Sequence, residues 1–334
     1  MAEKNSKVTM EEIAQKAGVS KATVSRALTG SSLIGDEARG KVEKVARGLG
    51  YVKKEVRRQG ERGILTVKLV LPPKGGRTSQ LFYSFTDLVS GLKAGLRPAE
   101  VNVLVDTGGS GYVPYPHKKG GEVDAFVFAF HRPTGRVLGE LEEQGAAAMV
   151  LNRMVRGVRY VVSDHMDAMR QLARHLAERG VKGDCCFVGY EGIDDVMHAR
   201  LAGFGEGCEE AGIAFDEVDD LWMAESPEEV RAKELKKLYD RGVRTFVGVN
   251  DVAGSMLVQQ ARELGLKVPG DVRVTGCDNA PMVGVTVPRL TTVDLSMFAL
   301  AKVAGQSLYA EVIDGEVDGG RVLVGGKIKE GKTT

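Results

Sequence analysis

The residues best suited to chemistry fall into two groups far apart in the chain. The first is the short stretch Lys21-Ala22-Thr23-Val24-Ser25-Arg26. Small hydroxyls between an ammonium and a guanidinium suit contacts to base edges and phosphates, provided they share the outer face of one helix. Arg26 could take a guanine edge at two points, and Lys21 and Ala22 would lead the helix into a groove. The second group is Arg200, at the start of the helical stretch ARLAGFGEGCEEAG, with Asn250 and Asp278, each ending an apolar run. A guanidinium fork, an amide and a carboxylate meeting in one cleft suit the vicinal hydroxyls of a sugar or a small polar ring. A plainer reading competes, in which Asp251 and Asp278 only cap helices and turns, and composition alone favours it.

Other chemistry finds little support. The five histidines show no HExxH or paired spacing, and no Ser-His-Asp or GxSxG arrangement occurs. Cys185, Cys186, Cys208 and Cys277 form no CxxC, and the adjacent pair lies in the apolar run DCCFVG, as buried thiols do. Neither GGSG at 108–111 nor GFGEG at 203–207 is a GxGxxG after a strand, as a phosphate-cradling loop must be, and the second lies in a helical stretch. No metal, cofactor or enzymatic activity is expected. At 334 residues, with 43% hydrophobic and 27% charged residues, the chain has the composition of a soluble protein of two or three compact units. It lacks an apolar run of membrane-spanning length and a signal-peptide core, so a cytoplasmic protein is expected.

Charge ties the first group to its setting. The whole chain carries a net +1. Residues 1–62 hold fourteen Lys or Arg against eight Asp or Glu, a surplus of +6, which leaves −5 for residues 63–334. A basic head on an acidic body places the phosphate-seeking surface at the head.

The elements that position these residues follow from the pattern. Thr9-Met-Glu-Glu12 reads as a capping box. Ile13, Ala14 and Ala17 give a helical apolar face, Gly18 ends it, and Val19 fills the corner. Ser20 caps a second helix, KATVSRALTG, with Ala22 or Thr23, then Val24, Ala27 and Leu28, inward. A third helix follows in DEARGKVEKVARGLG, with Val42, Val45, Ala46 and Leu49 inward. Two short helices joined by a tight turn and covered by a third make a helix-turn-helix. Beyond residue 63 the texture changes. ILTVKLVL, VNVLV, DAFVFAF, AAAMVL, CCFVGY, RTFVGVN and VRVTGCD read as buried parallel strands. FTDLVSGLKAGL, MDAMRQLARHLAERG, PEEVRAKELKKLYDRG and VAGSMLVQQARELG read as helices between them. Alternating strand and helix predicts doubly wound sheets, which bind ligands at the carboxyl ends of their strands.

The string VTMEEIAQKAGVSKATVSRALTG, continued by EARGKVEKVARGLGY, closely resembles the N-terminal module of the lactose/galactose-repressor (LacI/GalR) family. NDVAGSMLVQQARELGLKVPGDVRVTGCDNAP with PRLTTVD resembles the C-terminal part of the same family and of periplasmic sugar-binding proteins. The resemblance implies a small all-α helix-turn-helix domain at 1–51 and a hinge at 52–63. An α/β periplasmic-binding-protein-like domain of two doubly wound parallel-sheet subdomains, binding effector and dimerising, would fill 64–334, with chain crossings near 160–165 and 290–294. It implies a DNA-contacting set of Thr9, Ser20, Lys21, Ala22, Thr23, Ser25, Arg26, Arg39, Tyr51, Lys53, Lys54, Arg57 and Arg58. On the effector side, Arg200, Asn250 and Asp278 fall on ligand-gripping positions. Trp222, the single tryptophan, falls near an aromatic that stacks on a sugar or base, with core packing as the alternative. Ser84 and Phe85 fall on a pocket segment, and Arg153 on an inter-subdomain position.

The function so implied is a homodimeric transcriptional regulator, expected to be a repressor of double-stranded operator DNA. A small-molecule effector, a sugar or sugar-like metabolite, would control it by shifting the population between two states. Alternatives are a regulator with a purine or phosphoprotein corepressor, or a sugar-binding receptor-like protein, though the latter would need a signal peptide and no basic head. Two segments depart from the family pattern. The hinge reads YVKKEVRRQG, with Lys53-Lys54 in place of Pro-Asn and Gly60 where the family wedges Leu into the minor groove, so weaker DNA kinking is expected. Residues 106–123, with five Gly and two Pro, leave no room for the helix expected there.

Overall fold

The computed structural model describes residues 9–28, 34–49, 64–72, 83–108, 123–144, 146–315 and 320–334. The hinge and most of the Gly-rich stretch at 106–123 therefore lie outside the described residues.

The head forms three helices, α1 (Met10–Ala17), α2 (Lys21–Leu28) and α3 (Asp36–Gly48). Thr9 caps α1 through the full capping box, its hydroxyl accepting from Glu12 N while Glu12 returns to Thr9 N. Gly18 ends α1 at φ 63°, left-handed backbone that an L side chain adopts only with strain. Ile13, Ala14, Ala17, Val24, Ala27, Val42 and Ala46 form its core, with Val19, Leu28, Val45 and Leu49 packed against them. Of the two candidates for the inner face of α2, Ala22 stands exposed.

The remainder alternates as expected. The first part of the chain gives β1 (Ile64–Val70), α4 (Phe85–Gly95), β2 (Glu100–Asp106), β3 (Ala125–Ala129), α5 (Gly135–Gln144), β4 (Ala147–Leu151), β5 (Tyr160–Ser163) and α6 (His165–Glu178). There follow β6 (Cys185–Tyr190), α7 (Asp194–Ala211), β7 (Leu221–Ala224), α8 (Ala232–Asp240), β8 (Thr245–Gly248) and α9 (Asp251–Glu263). The chain closes with β9 (Arg273–Thr275), β10 (Thr292–Asp294), α10 (Met297–Tyr309), β11 (Arg321–Val324) and β12 (Lys327–Lys329). Two compact units result. One comprises Met1–Pro72, Leu96–Tyr160 and Ser307–Gly320, the other Pro73–Gly95, Val161–Gln306 and Arg321–Thr334.

In the first unit β2-β1-β3-β4 run parallel in that order, over a core of Val70, Phe126, Phe128, Val137, Leu141 and Val150. The second unit carries a parallel sheet β7-β6-β8-β9 and a small antiparallel pair β10-β12. All six residues of β6 are buried, as a parallel strand covered on both faces requires. The order of this sheet reverses between β6 and β8, a topological switch point at whose carboxyl edge ligands bind in open α/β sheets.

Several elements differ from the sequence expectation. PEEVRAKELKKLYDRG is broken, with a short 3₁₀ turn at Pro227–Glu229 before α8 begins at Ala232. Strands β5, β7, β10, β11 and β12 are too short for a period to show; β10 and β12 are three residues each. Their pairing is long-range, Thr292 opposite Lys329, which no local pattern encodes.

Candidate DNA-reading face and ligand site

In the head, Ser20 caps α2, its hydroxyl accepting from Thr23 N at 3.1 Å and bonding the Thr23 hydroxyl at 2.8 Å. Lys21, first residue of α2, forms an exposed ion pair with Glu11 of α1 that braces the turn between the two helices. That contact raises the lysine's affinity for its proton and lowers the carboxylate's, the side-chain hydrogen bond being the main cause. Lys21 and Ala22 are exposed, whereas Thr23, Ser25 and Arg26 are half-buried, as is Arg39 on α3. Thr9 serves as the α1 cap. Tyr51, Lys53, Lys54, Arg57 and Arg58 lie outside the described residues.

In the second unit the switch point carries a buried polar cluster. Arg200 projects from α7 with its side chain 3% exposed. It donates from Nη2 to the Asp278 carboxylate, from Nη1 to the Val249 carbonyl at 2.7 Å, and from Nε and Nη2 to His165 Nδ1 at 3.3 and 3.2 Å. Burial works to lower the proton affinity of Arg200, but the Asp278 carboxylate outweighs it, so the guanidinium is held charged. Asp278 follows β9 on left-handed backbone at φ 117°, and Asn279 follows at φ 52°. A non-glycine residue held so far from the ordinary regions costs about 1–3 kcal/mol, and such strain gathers at functional sites. The turn is fixed from the strand behind, Asp278 N donating to the Val293 carbonyl at 2.9 Å.

Around this pair, Asn250 ends the β8 edge and caps α9, its Oδ1 accepting from Ala253 N at 3.0 Å while its Nδ2 donates to the Tyr190 hydroxyl at the end of β6. Burial pushes the Tyr190 hydroxyl well above the usual phenol range, so it stays neutral. The expectation that Asp251 caps this helix is corrected: Asn250, in extended backbone, is the cap, and Asp251 is already helical. The Asp251 carboxylate instead accepts from Ala280 N at 2.6 Å and from the Thr292 hydroxyl, tying the loop after β9 to β10. Burial raises its pKa first and the Asp278 charge second, against those two donors, to about 7.

The remaining residues assigned by resemblance are placed as follows. Trp222 sits on β7 opposite Val188, half-buried and packed against the hydrophobic core of this unit. Ser84 caps α4, accepting from Asp87 N at 3.2 Å, and Phe85 beside it is exposed. Arg153 belongs to the first unit and is half-buried, its Nη1 donating to the Asn152 carbonyl at 2.7 Å. The structure thus gathers Arg200, Asn250 and Asp278 on one sheet edge. It adds His165, Tyr190 and Thr292, which sequence reasoning missed, and Asp251, which it read only as a cap. Tyr190 ends an apolar run and was legible as such; His165 sits 35 positions from its arginine, with no local signal.

A three-helix head with an outward second helix, ahead of parallel α/β units bearing a polar cluster at a switch point, defines a helix-turn-helix regulator with a periplasmic-binding-protein-like body. The chain belongs to the lacI family of bacterial regulatory proteins. The profile of that family matches residues 9–54, and the profile of the periplasmic binding protein-like domain matches residues 173–334. The HTH-type transcriptional regulator DegA of Bacillus subtilis is 30% identical over 304 residues, covering 86% of each chain. Among solved structures, the transcriptional regulator CelR–cellobiose complex superposes with a TM-score of 0.65 at 22% identity, over 98% of this chain and all of that one. A LacI family regulator from Enterococcus faecium with bound ribose gives 0.67 at 22% identity, over 80% and 98%. The lac repressor dimer bound to operator and the anti-inducer ONPF gives 0.60 at 19% identity, over 98% and 99%. The protein is therefore a transcriptional regulator with a DNA-binding head. Among the described residues no helix is long and apolar enough to cross a membrane.

Proposed function

We propose that this regulator is a cytoplasmic repressor that reads a roughly palindromic operator as a homodimer and answers to a neutral sugar, without turning it over. Its working parts are a DNA-binding segment at 1–51, a hinge at 52–63 and an effector-binding part at 64–334, with crossings near 160–165 and 290–294. Lys21, Ala22, Ser25 and Arg26 carry base and phosphate contacts. Thr9, Ser20, Thr23 and Arg39 position the helices on the backbone, and the bases of the hinge add charge. Arg200, Asp278 and Asn250 form the effector site, with Trp222, Ser84, Phe85 and Arg153 as further contacts.

The observation that carries the effector reading is the Arg200–Asp278 pair. A guanidinium already neutralised by a carboxylate, and hydrogen-bonded to a carbonyl, offers an anion no uncompensated charge, whereas donor and acceptor side by side match vicinal hydroxyls. This favours an uncharged polyhydroxylated effector over a sugar phosphate, a nucleotide or a phosphoprotein. The cellobiose and ribose in the two similar structures support the same class.

The test is selection of bound duplexes from a random pool by the purified chain, followed by anisotropy titration of the selected site with and without sugars. We expect an inverted repeat, and Lys21→Ala should weaken binding across sequences and reduce the salt slope by about 1. Neutral sugars should change operator affinity in the parent chain and not in Arg200→Ala. Absence of any enriched sequence refutes the DNA reading; a response to phosphorylated ligands alone refutes the neutral effector.

A further inference from the structure

We infer that His165 is a positioning residue of the effector site: it holds the Arg200 fork so that Asp278 cannot close on it at two points, and Gly203 sets the helix spacing that lets it do so. The inference rests on the effector reading above, and adds to it a residue and a spacing rule.

Arginine and carboxylate prefer a two-point pairing, with Nε and one Nη meeting the two oxygens in parallel. Such a pair satisfies itself and offers little to a ligand. Here Nε and Nη2 both lean on His165 Nδ1, at 3.3 and 3.2 Å, while Nη2 also meets Asp278 Oδ1 and Nη1 is drawn to the Val249 carbonyl. With Nε engaged by the imidazole, the fork stays rotated away from the parallel arrangement. An acceptor at Nδ1 means that the ring is neutral with its proton on Nε2. His165 itself is fixed by its place, the first residue of α6 after the Asp164 cap, and is 6% exposed.

Whether that ring reaches Arg200 depends on how closely α6 approaches α7. Gly203 stands one turn beyond Arg200 on α7, and a Cβ there would collide with the backbone of Met166, the residue after His165. Gly207, a further turn on, also lies close to Arg170, where its Cβ would stand 2.7 Å from the backbone. Arg170 to Glu206 at 3.0 Å and Arg174 to Glu210 at 2.7 Å close the outer side of the same crossing. The outer two glycines of GFGEG, Gly203 and Gly207, thus bring two helices together where His165 meets Arg200.

The experiment compares His165→Leu, which keeps volume but removes the acceptor, with His165→Asn, whose Oδ1 stands close to where Nδ1 was. Arg200→Ala and Gly203→Ala complete the set, all in the full chain. Calorimetric titration uses a panel of neutral aldoses and disaccharides headed by D-ribose and cellobiose. His165→Leu should bind about tenfold to a hundredfold more weakly, as loss of a hydrogen bond to a charged group implies. His165→Asn should stay within about threefold, since the acceptor is kept. Gly203→Ala should follow His165→Leu. If the parent chain binds no sugar, or Arg200→Ala binds as the parent does, the effector reading fails and the inference with it. If Arg200→Ala loses binding while His165→Leu keeps it, or if His165→Asn is as weak as His165→Leu, only the inference fails. Nitrogen-15 spectra of the imidazole in the parent chain give a check free of ligand and of variant folding: an unprotonated Nδ1 is expected, and a proton on Nδ1 overturns the assignment.

Discussion

Asp278→Asn isolates the charge of the buried pair while leaving its shape and backbone alone. Asparagine tolerates left-handed backbone as well as aspartate does, so the strain at φ 117° is common to both forms and cancels. The amide oxygen still accepts from Arg200 Nη2, but the guanidinium, 3% exposed and unable to shed its proton, keeps a charge without a counter-ion. Breaking a buried pair costs about 3–5 kcal/mol. The retained neutral hydrogen bond returns about 1 kcal/mol, leaving a loss of about 3 kcal/mol. For a unit of this size class that lowers the melting temperature by about 6–12 °C. Trp222 is the only tryptophan and packs on the core of the second unit, so its fluorescence during urea unfolding reports on that unit alone. Adding Arg200→Met to Asp278→Asn should restore part of the loss, because the uncompensated charge is gone. A single variant within about 0.5 kcal/mol of the parent, the scatter of ordinary surface substitutions, would refute the reasoning. So would a double variant no more stable than the single.

Three further outcomes follow from the same structure. Gly139, inside α5 with open space where a Cβ would stand, should accept alanine with a gain of about 1 kcal/mol, read by thermal melting of the helix signal; a loss would mean hidden packing there. The four cysteines are buried, and burial pushes Cys185 and Cys186 to about 12 and Cys208 and Cys277 higher still. At pH 8 the first two are thiolate in only about one molecule in ten thousand, so Ellman's reagent should label the native chain negligibly and all four thiols once denaturant is added; prompt native labelling contradicts this. Asp251, raised by burial to about 7, is held protonated by folding, so its contribution to stability is full below about pH 4 and lost as pH rises through 7. The stability difference between the parent and Asp251→Asn should therefore shrink over that range, and a difference that grows with pH contradicts the assignment.

Much of this was legible in the chain itself. Helix signals are local: Thr9 and Glu12 make a capping box within four residues, and Gly18 must supply left-handed backbone where α1 stops. Buried parallel strands announce themselves as continuous apolar runs, so β1, β6 and β8 stood out. The basic head showed once charge was counted by segment rather than over the whole chain. That count, with the spacing in α2, pointed to a helix-turn-helix that meets DNA, and the family resemblance implied the class of regulator, because each of these signals involves residues close in the chain.

What only the tertiary structure decided is partnership across distance. Asn250 and Asp251 are neighbours, and sequence could not say which would cap α9; the extended backbone at Asn250 gave it the cap and turned Asp251 toward Ala280 and Thr292. Trp222 packs on the core because β7 pairs with β6, a contact that no period in LWMA predicts. Arg200 became a held fork through an imidazole 35 residues earlier and a carboxylate 78 residues later. Local pattern fixes which backbone each segment adopts. Which buried donor meets which acceptor depends on sheet order and on how closely two helices approach, and here a glycine on the partner helix sets that approach.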